Sequence, residues 1–368
     1  MAHALRLAER GLYTTQPNPR VGCVIAHGSS SVGAGWHRRA GEAHAEVLAL
    51  REAGARASGA TAYVTLEPCA HHGRTPPCAD ALIAAGVARV VVASEDPFAQ
   101  VAGRGLAMLR AAGITVDVGL LHDDARELNP GFFSRIERSR PWLRLKQAMS
   151  LDGRTALANG ESKWITGEPA RADVQRWRAR SSAILTGSGT VQADNPQLTI
   201  RLDSRLHSAL DATGMSSGVE EEFVPLLRVI LDRQLRTPAA SHVLDGAAPT
   251  LVLHAADAVC ADDRFARIEM VALPVHDAAL DLPAVLALLA ARGCNEVQVE
   301  AGPRLSGALF AAGLVDELLL YVAPVLLGDG ALPLLHLPLL AKMAERWRLR
   351  VVEQRALGAD WRLRLRPS

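Results

Sequence analysis

Short apolar runs alternate with amphipathic helical stretches that stop at glycine, and this rhythm constrains the fold of the 368-residue sequence more than any other feature. A helical period over 45–53 ends before Gly54, one over 79–85 before Gly86 and one over 106–112 before Gly113. Each glycine suits the left-handed residue that closes a helix. A first helix is expected over 4–11, and the runs 21–26, 32–36, 61–66, 88–93 and 114–118 are compact and apolar enough for strands. Strands alternating with helices need both faces of a sheet covered, which is a layered α/β arrangement. The charged, apolar-poor stretch 135–141 (RIERSRP) reads as an interdomain linker. After it the pattern restarts with strand 142–146, helix 169–180, strand 183–186 and a Gly-Ser-Gly turn at 187–189. Strands follow at 229–232, 250–254, 296–300 and 318–323, with a helix over 305–312, while 203–222 reads as a surface insertion. A chain of this length exceeds what one core usually serves, so two domains are expected, 1–139 and 140–368.

Charge narrows the function classes. Forty basic against 39 acidic residues leave a net charge of +1, so no broad basic face offers itself to a nucleic acid. A small anionic substrate needs only a few local arginines. Five cysteines cannot all pair internally; Cys23, Cys260 and Cys294 sit among apolar residues and read as small buried hydrophobes. The opening MAHALRLAERG lacks the apolar core of a signal peptide. The apolar stretch 308–328 is broken by Asp316, Glu317 and Pro324, so no membrane helix is expected, and the chain reads as cytoplasmic.

Chemistry concentrates at His44-Ala45-Glu46, Pro68-Cys69 and Pro77-Cys78. One imidazole and two thiolates make three ligands for zinc and leave the fourth tetrahedral position to water, the mark of a catalytic site. The metal lowers the pKa of that water. Cys78 falls at an expected helix entry, where free N–H groups favour a thiolate. Glu46, two positions from His44, does not share its helix face. It reads as the proton shuttle between water and departing ammonia. An H-x-E motif alone carries little weight, and a cysteine pair alone is more often buried thiol. Together they match the signature of zinc nucleobase deaminases, except that the cysteines here stand nine positions apart, with His71, His72 and Arg74 between them. His71 and His72 compete as ligands but rank below His44, and read as pocket-lining or loop-capping residues.

The segments PNPRVGCVI, GEAHAEVLAL and TLEPCAHHGRTPPC closely resemble the deaminase half of the bifunctional diaminohydroxyphosphoribosylaminopyrimidine deaminase / 5-amino-6-(5-phosphoribosylamino)uracil reductase family of riboflavin biosynthesis. SLDGRTALANGESKWIT, DNPQLTIR and VEAGPRLSGAL resemble its reductase half. The resemblance implies a cytidine-deaminase-like αβα sandwich followed by a dihydrofolate-reductase-like domain. It also implies zinc and NADPH as cofactors and a phosphorylated pyrimidine as substrate. Carried over, it places zinc on His44, Cys69 and Cys78, with Glu46 as proton donor. Substrate contacts fall on Ser162, Arg178, Leu198, Arg201 and Glu300. Cofactor contacts fall on Ala148, Trp164, Thr190, Asp194, Arg233, Gly302, Pro303, Arg304, Leu305, Ser306, Gly307 and Ala308.

Elementary chemistry supports part of this. Arg178 and Arg201 suit a ribose phosphate, and residues 302–304 lie between a strand and a helix, where backbone N–H groups meet a diphosphate. Arg178 also has a bland reading, as one more charge on a solvated helix. Gly187-Ser188-Gly189 does not continue to a third glycine, so the dinucleotide fingerprint is absent. Lys146 and Asp152 are further polar candidates near the hydride path. Two departures from the family pattern stand out: Asp96-Pro97-Phe98-Ala99 replaces Asp-Pro-Asn-Pro, and Arg233 replaces a small hydroxyl residue, which bears on recognition of the NADPH 2′-phosphate. A homo-oligomer is expected. The alternative reading is a monofunctional deaminase of the same pathway with an inactive reductase-like domain.

Overall fold

The computed structural model describes residues 1–70, 77–201 and 223–368. The expected insertion over 203–222, together with His71, His72 and Arg74, lies outside the described residues. The described residues divide into two compact units, 1–139 with 223–224, and 140–201 with 225–368.

The first unit is built on strands β1 (Gly22–His27), β2 (Ser30–Trp36), β3 (Thr61–Val64), β4 (Arg89–Val92) and β5 (Thr115–Val118). They form one sheet in the order β2-β1-β3-β4-β5. β1 runs antiparallel to both neighbours, and β3, β4 and β5 are parallel. Strands β2 to β5 therefore share one direction and one carboxyl edge. The helices are α1 (Ala2–Glu9), α2 (Ala45–Ala53), α3 (Cys78–Ala84), α4 (Arg104–Ala111), α5 (His122–Leu128) and α6 (Pro130–Arg138). Ala45, Ala49 and Ala53 form the buried stripe of α2 and join Cys23, Ile25, Val64, Leu82, Val90 and Leu106 in a single core. Small side chains on that stripe let α2 lie close on β1 and β2, which brings its first residues to the carboxyl edge.

The second unit carries β6 (Trp142–Ser150), β7 (Arg154–Ala156), α7 (Glu168–Ala179), β8 (Ala183–Gly187), α8 (Ser188–Asp194), β9 (Leu227–Leu231), β10 (Thr250–Ala255) and β11 (Glu269–Leu273). There follow β12 (Val275–His276), β13 (Ala279–Leu280), α9 (Leu282–Ala291), β14 (Glu296–Val299), α10 (Pro303–Ala311), β15 (Glu317–Ala323), β16 (Leu332–Pro333), β17 (Leu349–Leu357) and β18 (Asp360–Pro367). Nine of these strands form one sheet, ordered β11-β10-β9-β8-β14-β6-β15-β18-β17. It is parallel from β11 to β15, and the β17–β18 hairpin adds antiparallel strands at one end. One face buries Leu143, Leu145, Val229, Leu251, Val297, Val299, Leu318 and Leu320. The other buries Ile184, Ile230 and Val252 in one cluster and packs Ala170, Val174 and Trp177 of α7 on Leu319 and Tyr321 in another. Runs apolar on both faces belong to parallel strands covered on both sides.

Three expectations need correction. Residues 135–138 are not linker but the last turn of α6, whose Phe132 and Phe133 are buried against Leu66. The charges that suggested a linker occupy its outer face. Residues 188 and 189 are not a turn but the first residues of α8. The strand expected over 142–146 continues to Ser150, pairing with β15 from Glu317 to Ala323.

Candidate active sites

In the first unit the carboxyl edge gathers the predicted metal ligands. His44 is the N-cap of α2, and Cys78 opens α3 after Pro77. Cys69 follows β3. His44 Nδ1 lies 3.2 Å from Cys78 Sγ and 3.6 Å from Cys69 Sγ, and the three ligand atoms all fall within 4.8 Å of one another. A tetrahedral zinc with bonds of about 2.0 Å to nitrogen and about 2.3 Å to sulfur spaces its ligands by roughly 3.5 to 3.8 Å, so this donor set fits zinc. Among the described residues no other histidine, cysteine and acidic side chains converge in this way.

Hydrogen bonding couples the two cysteines of this cluster. The Cys78 backbone N–H donates to Cys69 Sγ at 3.3 Å. Hydrogen bonding with Cys78, then with His44, holds the Cys69 thiol down at about 4, while the same contact with Cys69 drives Cys78 up. Glu46, 3% exposed, hydrogen-bonds to Cys78, and burial pushes its carboxyl up to about 7 against the pull of His44. A carboxyl near neutrality can both take and give a proton. His37 packs edge-on against His44 with ring centroids 5.2 Å apart. Burial lowers its pKa to about 4, so it is neutral, and its ring nitrogens face Asn18 Nδ2 at 3.1 Å and the Ala43 carbonyl at 3.3 Å.

In the second unit the predicted contacts also collect at the carboxyl ends of the parallel strands, the usual ligand edge of such sheets. Glu300 follows β14, and Arg178 on α7 meets it through Nε and Nη2, both at 2.8 Å. Arg178 Nη1 donates to the Thr199 carbonyl at 2.9 Å. Three of its N–H groups are thereby committed, so it is no solvated surface charge. Burial raises the Glu300 carboxyl, but Arg178 and then Lys146 hold it down at about 2. Burial lowers Lys146, with Glu300 opposing. Arg201 is exposed, and its side chain touches Gln197 Oε1 at 3.1 Å. Leu198 is buried with φ +52.

The cofactor candidates divide into those brought together and those set apart. Thr190 Oγ1 accepts from Gly302 N at 3.1 Å, and Ser162 Oγ approaches Asp194 at 3.5 Å. Gly302 is the N-cap of α10, which has no side-chain cap, and Pro303, Arg304 and Leu305 form its first turn. Ser306 bonds Ala301 O and accepts from Gln147, so it braces the helix. Gly307 packs so closely that a Cβ there would lie 2.0 Å from the His336 carbonyl, and Ala308 continues the helix toward Ala311. Arg233 follows β9, and its Nε is buried without a partner. Ala148 lies on β6, half-buried beside α7, whereas Trp164 is 69% exposed under the Arg171 guanidinium. The uncapped helix and the unpartnered arginine nitrogen fit a phosphorylated dinucleotide. Asp152 is occupied, accepting from Ser150 Oγ and from the backbone of Leu327 and Gly328.

Sequence reasoning passed over Glu67. Its carboxylate accepts four backbone N–H groups, from Asp96, Gly103, Gly105 and Leu106, at 3.0–3.3 Å. The signal available was a glutamate inside TLEPC, with nothing to indicate its partners.

Comparison with known proteins agrees over both units. A family described as cytidine and deoxycytidylate deaminase zinc-binding region matches residues 1–94, and one described as RibD C-terminal domain matches 141–363. The riboflavin biosynthesis protein RibD of Escherichia coli is 49% identical over 98% of this chain and 96% of its own length. That of Haemophilus influenzae is 47% identical over 100% and 96%. The solved structure of Acinetobacter baumannii RibD superposes with a TM-score of 0.88 at 43% identity, covering 100% of this chain and 97% of that one. A diaminohydroxyphosphoribosylaminopyrimidine deaminase/5-amino-6-(5-phosphoribosylamino)uracil reductase from Thermotoga maritima gives 0.84 at 30% identity, covering 100% and 97%.

Proposed function

The chain belongs to the RibD family of bifunctional deaminase–reductases, and from that premise we propose which residues perform each of its two reactions. Residues 1–139 hydrolytically deaminate 2,5-diamino-6-(5-phosphoribosylamino)pyrimidin-4(3H)-one, and residues 140–368 reduce the ribosyl group of the product to ribityl. The observation that carries the first assignment is the convergence of His44, Cys69 and Cys78 beside the buried Glu46. His44, Cys69 and Cys78 hold zinc, which supplies the Lewis acidity that makes water a nucleophile near neutral pH. Glu46 takes a proton from the attacking water and delivers it to the departing amino group, so oxygen replaces nitrogen on the ring and ammonia leaves.

In the reductase, Arg201 and the uncommitted N–H groups of Arg178 hold the ribose 5-phosphate. Ser162, Leu198 and Glu300 complete the substrate site. Thr190, Asp194, Ala148, Trp164 and residues 302–308 receive NADPH, the hydride donor, and Arg233 faces its 2′-phosphate. The substrate is a free nucleotide and the near-neutral chain has no nucleic-acid partner. No described helix is long and apolar enough to cross a membrane, and the enzyme works in the cytoplasm.

The chain also assembles with itself. Leu339, Leu340, Met343, Trp347, Leu349, Val351 and Trp361 are exposed on and around β17, the edge strand of the large sheet. An antiparallel edge can pair with its own copy across a two-fold axis.

The test supplies the diaminopyrimidine ribotide to the purified enzyme and follows ammonia release and NADPH oxidation separately. Chelating zinc should stop the first reaction and spare the second when the deaminated product is supplied. Ammonia release from metal-free enzyme, or no NADPH oxidation with that product, would overturn the corresponding assignment.

A further inference from the structure

Glu67 is 4% exposed and sits between β3 and Cys69. Helix α4 begins at Gly103 without a local side-chain cap. Its first N–H groups point instead to Glu67: Gly103 N lies 3.0 Å from Oε2, Gly105 N 3.0 Å and Leu106 N 3.3 Å from Oε1. Asp96 N adds a fourth bond at 3.2 Å to Oε2, and the Glu67 backbone N–H donates to the Ser94 carbonyl at 2.9 Å. A carboxylate at a helix N-terminus satisfies orphan donors and meets the positive end of the dipole. Here the cap comes from 38 residues away. A second observation marks the same contact: a Cβ on Gly105 would lie 2.0 Å from the Pro68 carbonyl. The residue before Cys69 is therefore pressed directly on α4.

We propose that Glu67 is a positioning residue of the deaminase centre, fixing the chain that delivers Cys69 against the N-terminus of α4. It touches neither metal nor substrate. Its action is to set the direction in which the chain delivers the Cys69 sulfur. The proposal rests on the zinc assignment above. A neutral amide in place of the carboxylate accepts with one oxygen only, leaving two of the four N–H groups facing an NH2. The clamp then loosens while the side-chain volume is kept.

The experiment compares wild type, Glu67→Gln and, as a perturbation of the same contact that leaves the carboxylate intact, Gly105→Ala, all in the full chain. Zinc release to a chromogenic chelator, kcat and KM for ammonia release, and thermal unfolding are measured. Groups that directly brace metal ligands are typically worth about 10- to 100-fold, so both variants, acting one step further out, should release zinc faster by up to that order, with lower kcat. NADPH oxidation by the reductase should be unaffected. A purely structural role would lower the unfolding temperature and leave the folded enzyme's zinc release, kcat and KM at wild-type values, and that result overturns the proposal. Should Glu67→Gln fail to fold, Gly105→Ala decides by the same criteria. A wild-type chain that holds no zinc overturns the metal assignment itself, a distinguishable outcome.

Discussion

Replacing Glu300 with glutamine tests the Arg178–Glu300 ion pair of the second unit. The carboxylate lies 2.8 Å from both Nε and Nη2 of Arg178, with side-chain exposures of 14% and 8%. Its pKa is held at about 2 against an ordinary 4.5. At about 1.4 kcal/mol per pH unit, that difference of about 2.5 corresponds to roughly 3 kcal/mol at neutral pH. Removing one partner of such a pair leaves an uncompensated charge, at a cost of about 3–5 kcal/mol. The two routes agree. For a unit of this size that is a fall of roughly 6–20 °C in its unfolding temperature, read by calorimetry of the full chain at pH 7. Because the folded pKa is depressed, the contribution is complete above pH 4.5 and drains away as pH falls toward 2. Wild type and Glu300→Gln should therefore converge in stability across that acid window. Replacing both partners with methionine should recover much of the loss, since no charge is then stranded. If Glu300→Gln unfolds at the wild-type temperature at pH 7, Arg178 does not depend on this partner and the reasoning is wrong.

Two further outcomes follow from close packing and exposure. Gly307→Ala forces α10 away from the His336 carbonyl, so NADPH affinity by calorimetric titration should fall while ammonia release is unaltered; unchanged affinity would detach α10 from the cofactor. Val351→Glu on the exposed edge strand should shift the mass in light scattering toward the 39.2 kDa of one chain, and an unshifted mass would place self-association elsewhere.

Much of the His44–Cys69–Cys78 cluster was legible because its information is local. Three ligand-type residues, two of them after prolines, announce themselves by type. The helix over Ala45–Ala53 was legible down to its bounds because alanines and Gly54 leave little choice. The placement of Cys78 at the first residue of α3 followed from the prolines before it. What escaped was non-local. α6 was hidden because its charged outer face dominates RIERSR while Phe132 and Phe133 lie just upstream. Glu67 looks like any acidic residue until the chain returns 29 to 39 positions later with four N–H groups. Arg178 lies in an arginine-rich helical run, and only the fold shows three of its N–H groups committed to Glu300 and Thr199. The edge hairpin β17–β18 escaped the reading because its strand signal is interleaved with arginines, and its partner β15 lies about 30 residues upstream of β17.

The most direct measurement of the central claim is the zinc content of wild type and Glu46→Gln, taken together with ammonia release from the same samples. If His44, Cys69 and Cys78 grip the metal and Glu46 moves the proton, both proteins carry one zinc per chain, and the variant loses about 10²- to 10⁴-fold in deamination rate. Zinc lost along with activity in the variant, or wild-type ammonia release without Glu46, would contradict the account.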